Sequence, residues 1–229
     1  MISHYQSGGG AAMPDTRISE LVRGWVDGWV VSRGSSDPID EPWGWTIDVG
    51  QPRHVARHVL PEPSEGDVRE IVAATSAPGT WLKLFAEEKA VLPWVGPGWR
   101  LEPPGFLMTC RLGPERTEVP DGYTLTRWTR GGLSRVLVRT RDGHFAARGQ
   151  IAHVGDGAVV DQVESAAEHR RRGLGGLVMR TLQSTAYEAG ARTGLLVGTP
   201  EGRALYSSLG WTVHSPMTSL CYEPSDAAR

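Results

Sequence analysis

The residues with the clearest chemistry are Arg170-Arg171-Arg172-Gly173-Leu174-Gly175-Gly176. Three cations run directly into a glycine-rich turn. Behind it, Leu174, Leu177, Val178, Leu182 and Ala189 recur on one face at helical spacing. The turn is therefore the start of a helix. Its first N–H groups have no partner within the helix, and its glycines let a ligand approach the backbone closely. Those donors, the helix dipole and the arginines make an anion site suited to a diphosphate. Just upstream, Val159, Val160 and Val163 build a β-branched strand carrying two carboxylates, Asp161 and Glu164. Simple alternation points those carboxylates to opposite faces. The spacing is not the G-x-G-x-x-G of dinucleotide-binding folds, and no Gly-Lys-Ser/Thr follows as in a P-loop.

Composition bounds what such a site belongs to. The 229-residue chain is 39% hydrophobic and 22% charged, ordinary for a soluble globular protein of one large or two small domains. A net charge of −2 makes no electrostatic case for nucleic acid. The charge is uneven, however: residues 1–115 hold 10 basic against 15 acidic side chains, and residues 116–229 hold 14 against 11. The basic excess accompanies the anion site. Two cysteines, Cys110 and Cys221, without a CxxC pair predict a reducing cytoplasm and no structural metal. No apolar run is long enough to span a membrane, and residues 1–14 lack the pattern of a targeting segment and read as a disordered tail.

The elements that must position the site follow in order. Asp15 or Thr16 caps a helix to about Arg33, with Trp25 and Trp29 on its apolar face. Trp43–Val49 and His54–Leu60 read as strands, Ser64 caps a short helix, and Thr80–Phe85 is a strand. A short helix over Glu87–Leu92 and a strand over Phe106–Leu112 complete the first half. Tyr123–Thr129, Arg135–Thr140 and His144–His153 read as an antiparallel meander with Asp142-Gly143 as a hairpin turn. After the central strand and helix come a strand at Gly194–Gly198, a helix at Glu201–Leu209, and two strands, Trp211–His214 and Thr218–Tyr222, separated by Pro216.

A strand feeding Arg170-x-x-Gly173-x-Gly175 at a helix start resembles the acetyl-CoA motif of the GCN5-related N-acetyltransferase (GNAT) family. Ala204-Leu205-Tyr206-Ser207-Ser208-Leu209-Gly210-Trp211 is similar to the family's second motif, with Trp at the aromatic position. The resemblance covers about residues 119–223. It implies an α/β (α+β) fold, a mixed, mostly antiparallel twisted sheet flanked by helices. It implies an acetyl-CoA-dependent N-acetyltransferase that moves an acetyl group to a primary amine by direct transfer in a ternary complex, without a metal. Arg170, Arg171, Arg172, Gly173, Leu174, Gly175 and Gly176 would then hold the cofactor's phosphates. Val163 and Ser165 would pair with its pantetheine and polarise the acetyl carbonyl, and Thr199 stands where the family often has an Asn. Glu164 or Asp161 is the base, slightly favouring Glu164 because a bulge on this strand would disturb parity. Tyr206 is the general acid. The alternative is a non-catalytic acyl-CoA-binding sensor or interaction module.

Two departures from the family matter. The helices that normally separate its first two strands and form much of the acceptor pocket are missing; only Gly131–Ser134 stand there. Yet Thr80–Trp99 lies over Thr193–Trp211 as an internal repeat, which predicts a tandem arrangement of two GNAT-like lobes. Residues 15–115 would be a degenerate lobe and residues 116–229 the acetyl-CoA-binding lobe. The first lobe, which holds seven of the nine tryptophans, would supply the missing wall. The acceptor is a small-molecule or peptide amine, for which the acidic first half weakly favours a cation. No nucleic acid or membrane partner is expected, and the protein is expected to be a cytoplasmic monomer or homodimer.

Overall fold

Residues 18–224 are described in a computed structural model; the expected tail and the cap at Asp15 or Thr16 lie outside them. Helix α1 (Ile18–Arg33) buries Leu21, Val22, Trp25, Val26, Trp29 and Val30, the stripe its periodicity dictates. Strands β1 (Ile39–Glu41), β2 (Gly44–Gln51) and β3 (His54–Leu60) follow. Helix α2 (Glu65–Ala74) starts at Ser64, whose hydroxyl accepts from the Asp67 N–H. Strand β4 (Thr80–Leu84), the short α3 (Glu88–Val91) with a 3-10 turn, and β5 (Trp99–Arg111) close the first half. The second half runs β6 (Tyr123–Arg130), β7 (Leu133–Thr140), β8 (Phe145–Val154), β9 (Gly157–Ser165), α4 (Leu174–Glu188), β10 (Thr193–Gly198), α5 (Pro200–Ser208) and β11 (Thr212–Tyr222).

All eleven strands form one sheet in the order β1-β2-β3-β4-β11-β5-β10-β9-β8-β7-β6. The same pairings recur on either side of its middle. β2 pairs antiparallel with β3 as β8 does with β9, and β3 runs parallel to β4 as β9 does to β10. Each parallel pair is joined through a helix, α2 or α4. The closing strands are exchanged: β5 of the first half lies between β11 and β10, and β11 of the second lies between β4 and β5. The halves therefore interlock within one sheet.

Helices α2 and α4 cover one face. Leu82 and Leu84 pack there with Val68 and Ile71, and Val160 and Leu196 with Leu177 and Val178. Helix α1 takes the other face, where Trp45, Ile47, Val59, Leu107, Val159, Leu195 and Met217 close around it. That face is curled. The Arg57 guanidinium of β3 sits 3.8 Å over Trp29, while Arg33, one turn on, reaches Asp161 of β9. In a flat sheet those strands would stand about 24 Å apart, and a helix with its side chains is only about 10–12 Å across. The fit is close: a Cβ at Gly28 would lie 2.2 Å from Val159.

Three strand readings are corrected. β1 lies in what reads as loop. β11 is one continuous strand, not two, because bulges at Val213/Ser215 and Met217/Ser219 carry it past Pro216. β5 begins at Trp99, seven residues before the expected Phe106; Pro103 and Pro104 fall in the stretch where it makes an irregular step against β11. Between β6 and β7, Gly131 and Gly132 turn the chain with φ of 58° and 74°, a conformation suited to a two-residue hairpin.

Candidate active site

β9 and β10 are paired only from Thr193↔Gly157 to Leu195↔Val159, although both run further. Beyond Val159 the two strands part, and a cleft of ≈ 1210 Å³ opens between them. It is lined by Asp161–Ser165 from β9, His169–Arg171 from the following turn, Gly173–Gly176 at the start of α4, Leu196–Gly198 from β10, Thr199 after it, and Tyr206 of α5. Residues read from two separate motifs thus face one space.

The floor on the β9 side is a bulge. Gln150 stands opposite Asp161 and Arg148 opposite Glu164, so three steps on β9 match two on β8. Gln162 takes up the extra residue with φ of 53°. Residues directly opposite in an antiparallel pair share a face, and Arg148 and Gln150 are two apart. Asp161 and Glu164 therefore point to the same face, the one α1 occupies; the expectation of opposite faces is corrected by the bulge. Past the bulge, Ala166 N–H donates to Ala146 O. Alternation then turns the N–H groups of Ser165 and Val163 away from β8, into the gap where β10 has left.

The two carboxylates have different surroundings. Asp161 is clamped: Arg33 Nε and Nη2 donate to its two oxygens at 2.5 and 2.9 Å, and Ser32 Oγ donates at 2.6 Å. Burial alone would raise its pKa, but the Arg33 pair, Ser32 and the Gln162 N–H hold it below the usual carboxylate value. Gln150 completes the clamp, its side-chain nitrogen donating to Ser32 O at 2.9 Å. Glu164 is half exposed and meets Arg148 Nε at 2.6 Å. It lines the cleft and also a second hollow on the α1 face.

At the phosphate end, Gly173 precedes α4 with φ of 78° and no side chain caps the helix, so its first N–H groups stay open. Arg171 is also left-handed, at φ 59°, which bends the chain ahead of the helix. Gly175 packs closely under α5: a Cβ there would lie 2.9 Å from the Leu205 side-chain methyl, which would have to shift. Arg170 and Arg171 line the cleft and Arg172 does not. Its guanidinium instead donates to Tyr123 Oη at 3.1 Å, and Tyr123 in turn meets His169 Nδ1 at 3.0 Å. Thr199 lines the cleft, but its hydroxyl accepts from Gly202 N–H as the cap of α5.

Tyr206 is buried, its ring against Gly198 and Gly202, where a Cβ would approach to 2.9 Å. Burial, and then the Asp161 charge, push its phenol up to about 12. It keeps its proton at any working pH. Trp25, Trp29 and Trp45 of the first half are buried around α1, and Trp43, Trp94 and Trp99 pack partly buried against the core beneath α2. Among the described residues no group of three or more His, Cys, Asp or Glu side chains gathers to hold a metal, and no helix is long and apolar enough to cross a membrane.

Sequence reasoning did not reach Ser32, Arg33, Gln150 or Arg148. The alternation of Arg148 and Gln150 along β8 was visible, but their partners follow only once the bulge is known.

No family model and no curated protein sequence matches the chain. Solved structures do. A GCN5-related N-acetyltransferase from Kribbella flavida superposes with a TM-score of 0.63 at 19% identity, over 93% of this chain and 96% of that one. A protein from Novosphingobium aromaticivorans assigned to the GNAT family gives 0.56 at 18%, over 92% and 100%. A GCN5-related N-acetyltransferase-like protein from Streptococcus suis gives 0.55 at 11%, over 90% and 98%. The chain has the GCN5-related N-acetyltransferase fold, and the likeness runs through both halves.

Proposed function

We propose that this chain is an acetyl-CoA-dependent N-acetyltransferase that acts by direct transfer to an amine. One observation carries the reading: the parting of β9 from β10 makes a single cleft shared by an anion-binding helix start, a bulge with outward N–H groups, Tyr206 and Glu164. The open N–H groups and paired glycines at the α4 start, with Arg170 and Arg171 beside them, fit a pyrophosphate. The N–H groups of Val163 and Ser165 suit an extended amide-bearing arm and a polarised carbonyl. When bound, acetyl-CoA supplies an acetyl group activated as a thioester.

The chain's own residues then have distinct tasks. An alkylamine of pKa about 10.4 is neutral only about once in 10³ molecules at pH 7, so a proton must leave the acceptor nitrogen. Glu164, accessible from both sides of the bulge, is the group to receive it. Asp161 is spent on Arg33 and Ser32 and positions β9 against α1. Tyr206 holds a proton at Oη for a departing thiolate. Neither cysteine offers a thiolate for a covalent route: both are buried, and burial pushes Cys110 up to about 12.

Titration calorimetry with acetyl-CoA, and thiol release across an amine library, test this. Arg170→Ala combined with Gly173→Asp should weaken acetyl-CoA binding at least about tenfold for each charge-assisted hydrogen bond to phosphate that it removes. Unchanged affinity would remove the cofactor site. Tight binding with no amine acetylated would favour the sensor or interaction-module reading instead.

A further inference from the structure

The second hollow, of ≈ 420 Å³, lies on the α1 face of β6–β9 and shares Gln162 and Glu164 with the cofactor cleft. It occupies a stretch of sheet that α1 leaves open. Trp128 and Phe145, each 41% exposed, are large apolar side chains with no packing role to explain them. Between them and Glu164 stand Arg135, Leu137 and Arg148. Strand pairing sets them in rows, Trp128 opposite Arg135 opposite Gln150, and Leu137 opposite Arg148 opposite Glu164.

The two guanidiniums are only partly used. Arg135 donates through Nε to Gln150 at 3.2 Å, and Arg148 Nε forms an ion pair with Glu164 at 2.6 Å. Among the described residues, neither guanidinium makes a further side-chain contact of this kind. Two arginines with open edges against one carboxylate leave the hollow net positive, and the planar fork of Arg suits a carboxylate. A simple amine would find a partner in Glu164 but would leave both guanidiniums without one. A molecule bearing a carboxylate beside its ammonium would meet complementary charge at both groups. Arg148 and Glu164 touch at 2.6 Å, so the cation and anion that they present are adjacent, as the two charges of an α-amino acid are.

We infer that this hollow is the acceptor site and that the acceptor is a free α-amino acid with an apolar, preferably aromatic, side chain. Its carboxylate lies on Arg135 and Arg148, its amine faces Glu164 at the bulge, and its side chain packs on Trp128, Leu137 and Phe145. The volume falls in the range of small-molecule sites. The inference rests on the acetyltransferase reading: the ammonium gives one proton to Glu164, the C–N bond forms as the thioester C–S bond breaks, Tyr206 protonates the departing thiolate, and the second proton of the nitrogen restores Tyr206.

The test compares phenylalanine, phenylalanine amide, phenethylamine and glycine as acceptors, by thiol release and by calorimetry without acetyl-CoA. Phenylalanine should have the lowest KM, by at least about tenfold over the amide and over glycine. Arg135→Gln should erase the preference over the amide and Trp128→Ala the preference over glycine, with acetyl-CoA affinity unchanged in both. Equal use of amide and acid, or variants that leave both ratios intact, would overturn the amino-acid assignment while the acetyltransferase reading stands. Phenylalanine binding with no thiol release from any amine would keep the hollow as its site and sink the enzyme reading. If phenylalanine neither binds nor reacts, the inference is wrong.

Discussion

Asp161 and Glu164 stand three residues apart on one strand, yet their neighbours give them opposite chemistry. The clamp around Asp161 occupies both oxygens, so a substitution there acts on the fold. Asp161→Asn leaves Arg33 without its partner and should cost about 1–3 kcal/mol in denaturant unfolding at pH 7. The sign of the pH dependence follows from a folded-state pKa below the unfolded one. The clamp's contribution is full above the unfolded value, about 3.9, and is lost as pH falls through the lower folded value. The stability gap between wild type and variant should hold down to about pH 4 and close below it; a gap that persisted at pH 2 would mean the charge is not what matters. Glu164→Gln should do the reverse. Stability and acetyl-CoA affinity stay as they were, while turnover falls about 10²–10⁴-fold. Both carboxylates could be picked from the sequence as candidate bases. What separates them is Arg33, 128 residues away from Asp161, a distance no local pattern crosses.

The start of α4 was the most legible element, because its function and its helix signal are the same residues. Glycines that fix a left-handed turn also clear the approach to the N–H groups, and the apolar period behind them sets the helix in place. Its three arginines looked equivalent, and they are not. A left-handed Arg171 reverses the chain between Arg170 and Arg172, so the last of them turns towards Tyr123. Arg172→Ala should therefore leave acetyl-CoA affinity within about twofold, while Arg170→Ala with Arg171→Ala lowers it at least about tenfold and flattens its salt dependence. Equal losses from all three in calorimetry would contradict the geometry. The bulge in β9 was the least legible part. Nothing in Val-Asp-Gln-Val-Glu marks where alternation will skip, since Gln is not a residue that favours positive φ. The break is specified by what β9 pairs with on β8 and by its loss of β10, both of which belong to the sheet and not to the segment.

At the scale of the molecule, local patterns recovered nearly every helix and strand but not how they are threaded. The repeat between Thr80–Trp99 and Thr193–Trp211 corresponds to two strand-helix-strand units whose last strands trade places at the middle of the sheet. Two self-contained lobes joined by a connector and this interlocked sheet have the same local signals. They differ in what happens when the chain is cut. β10 pairs with β5 along its whole length, Thr193–Gly198, and β11 is held on both edges by β4 and β5. Residues 116–229 alone would expose both edges of β11 and one of β10, and would lose α1 from the face of Val159 and Leu195. Unpaired edges beside exposed apolar surface lead to aggregation. We expect that fragment to be insoluble when expressed alone, and to refold with residues 1–115 into a one-to-one complex that binds acetyl-CoA. The intact chain should unfold in one transition, with calorimetric and van't Hoff enthalpies in agreement. Two separated transitions, or a soluble fragment acetylating at the full rate, would show that the second half stands without the strand and helix that the first half inserts into it.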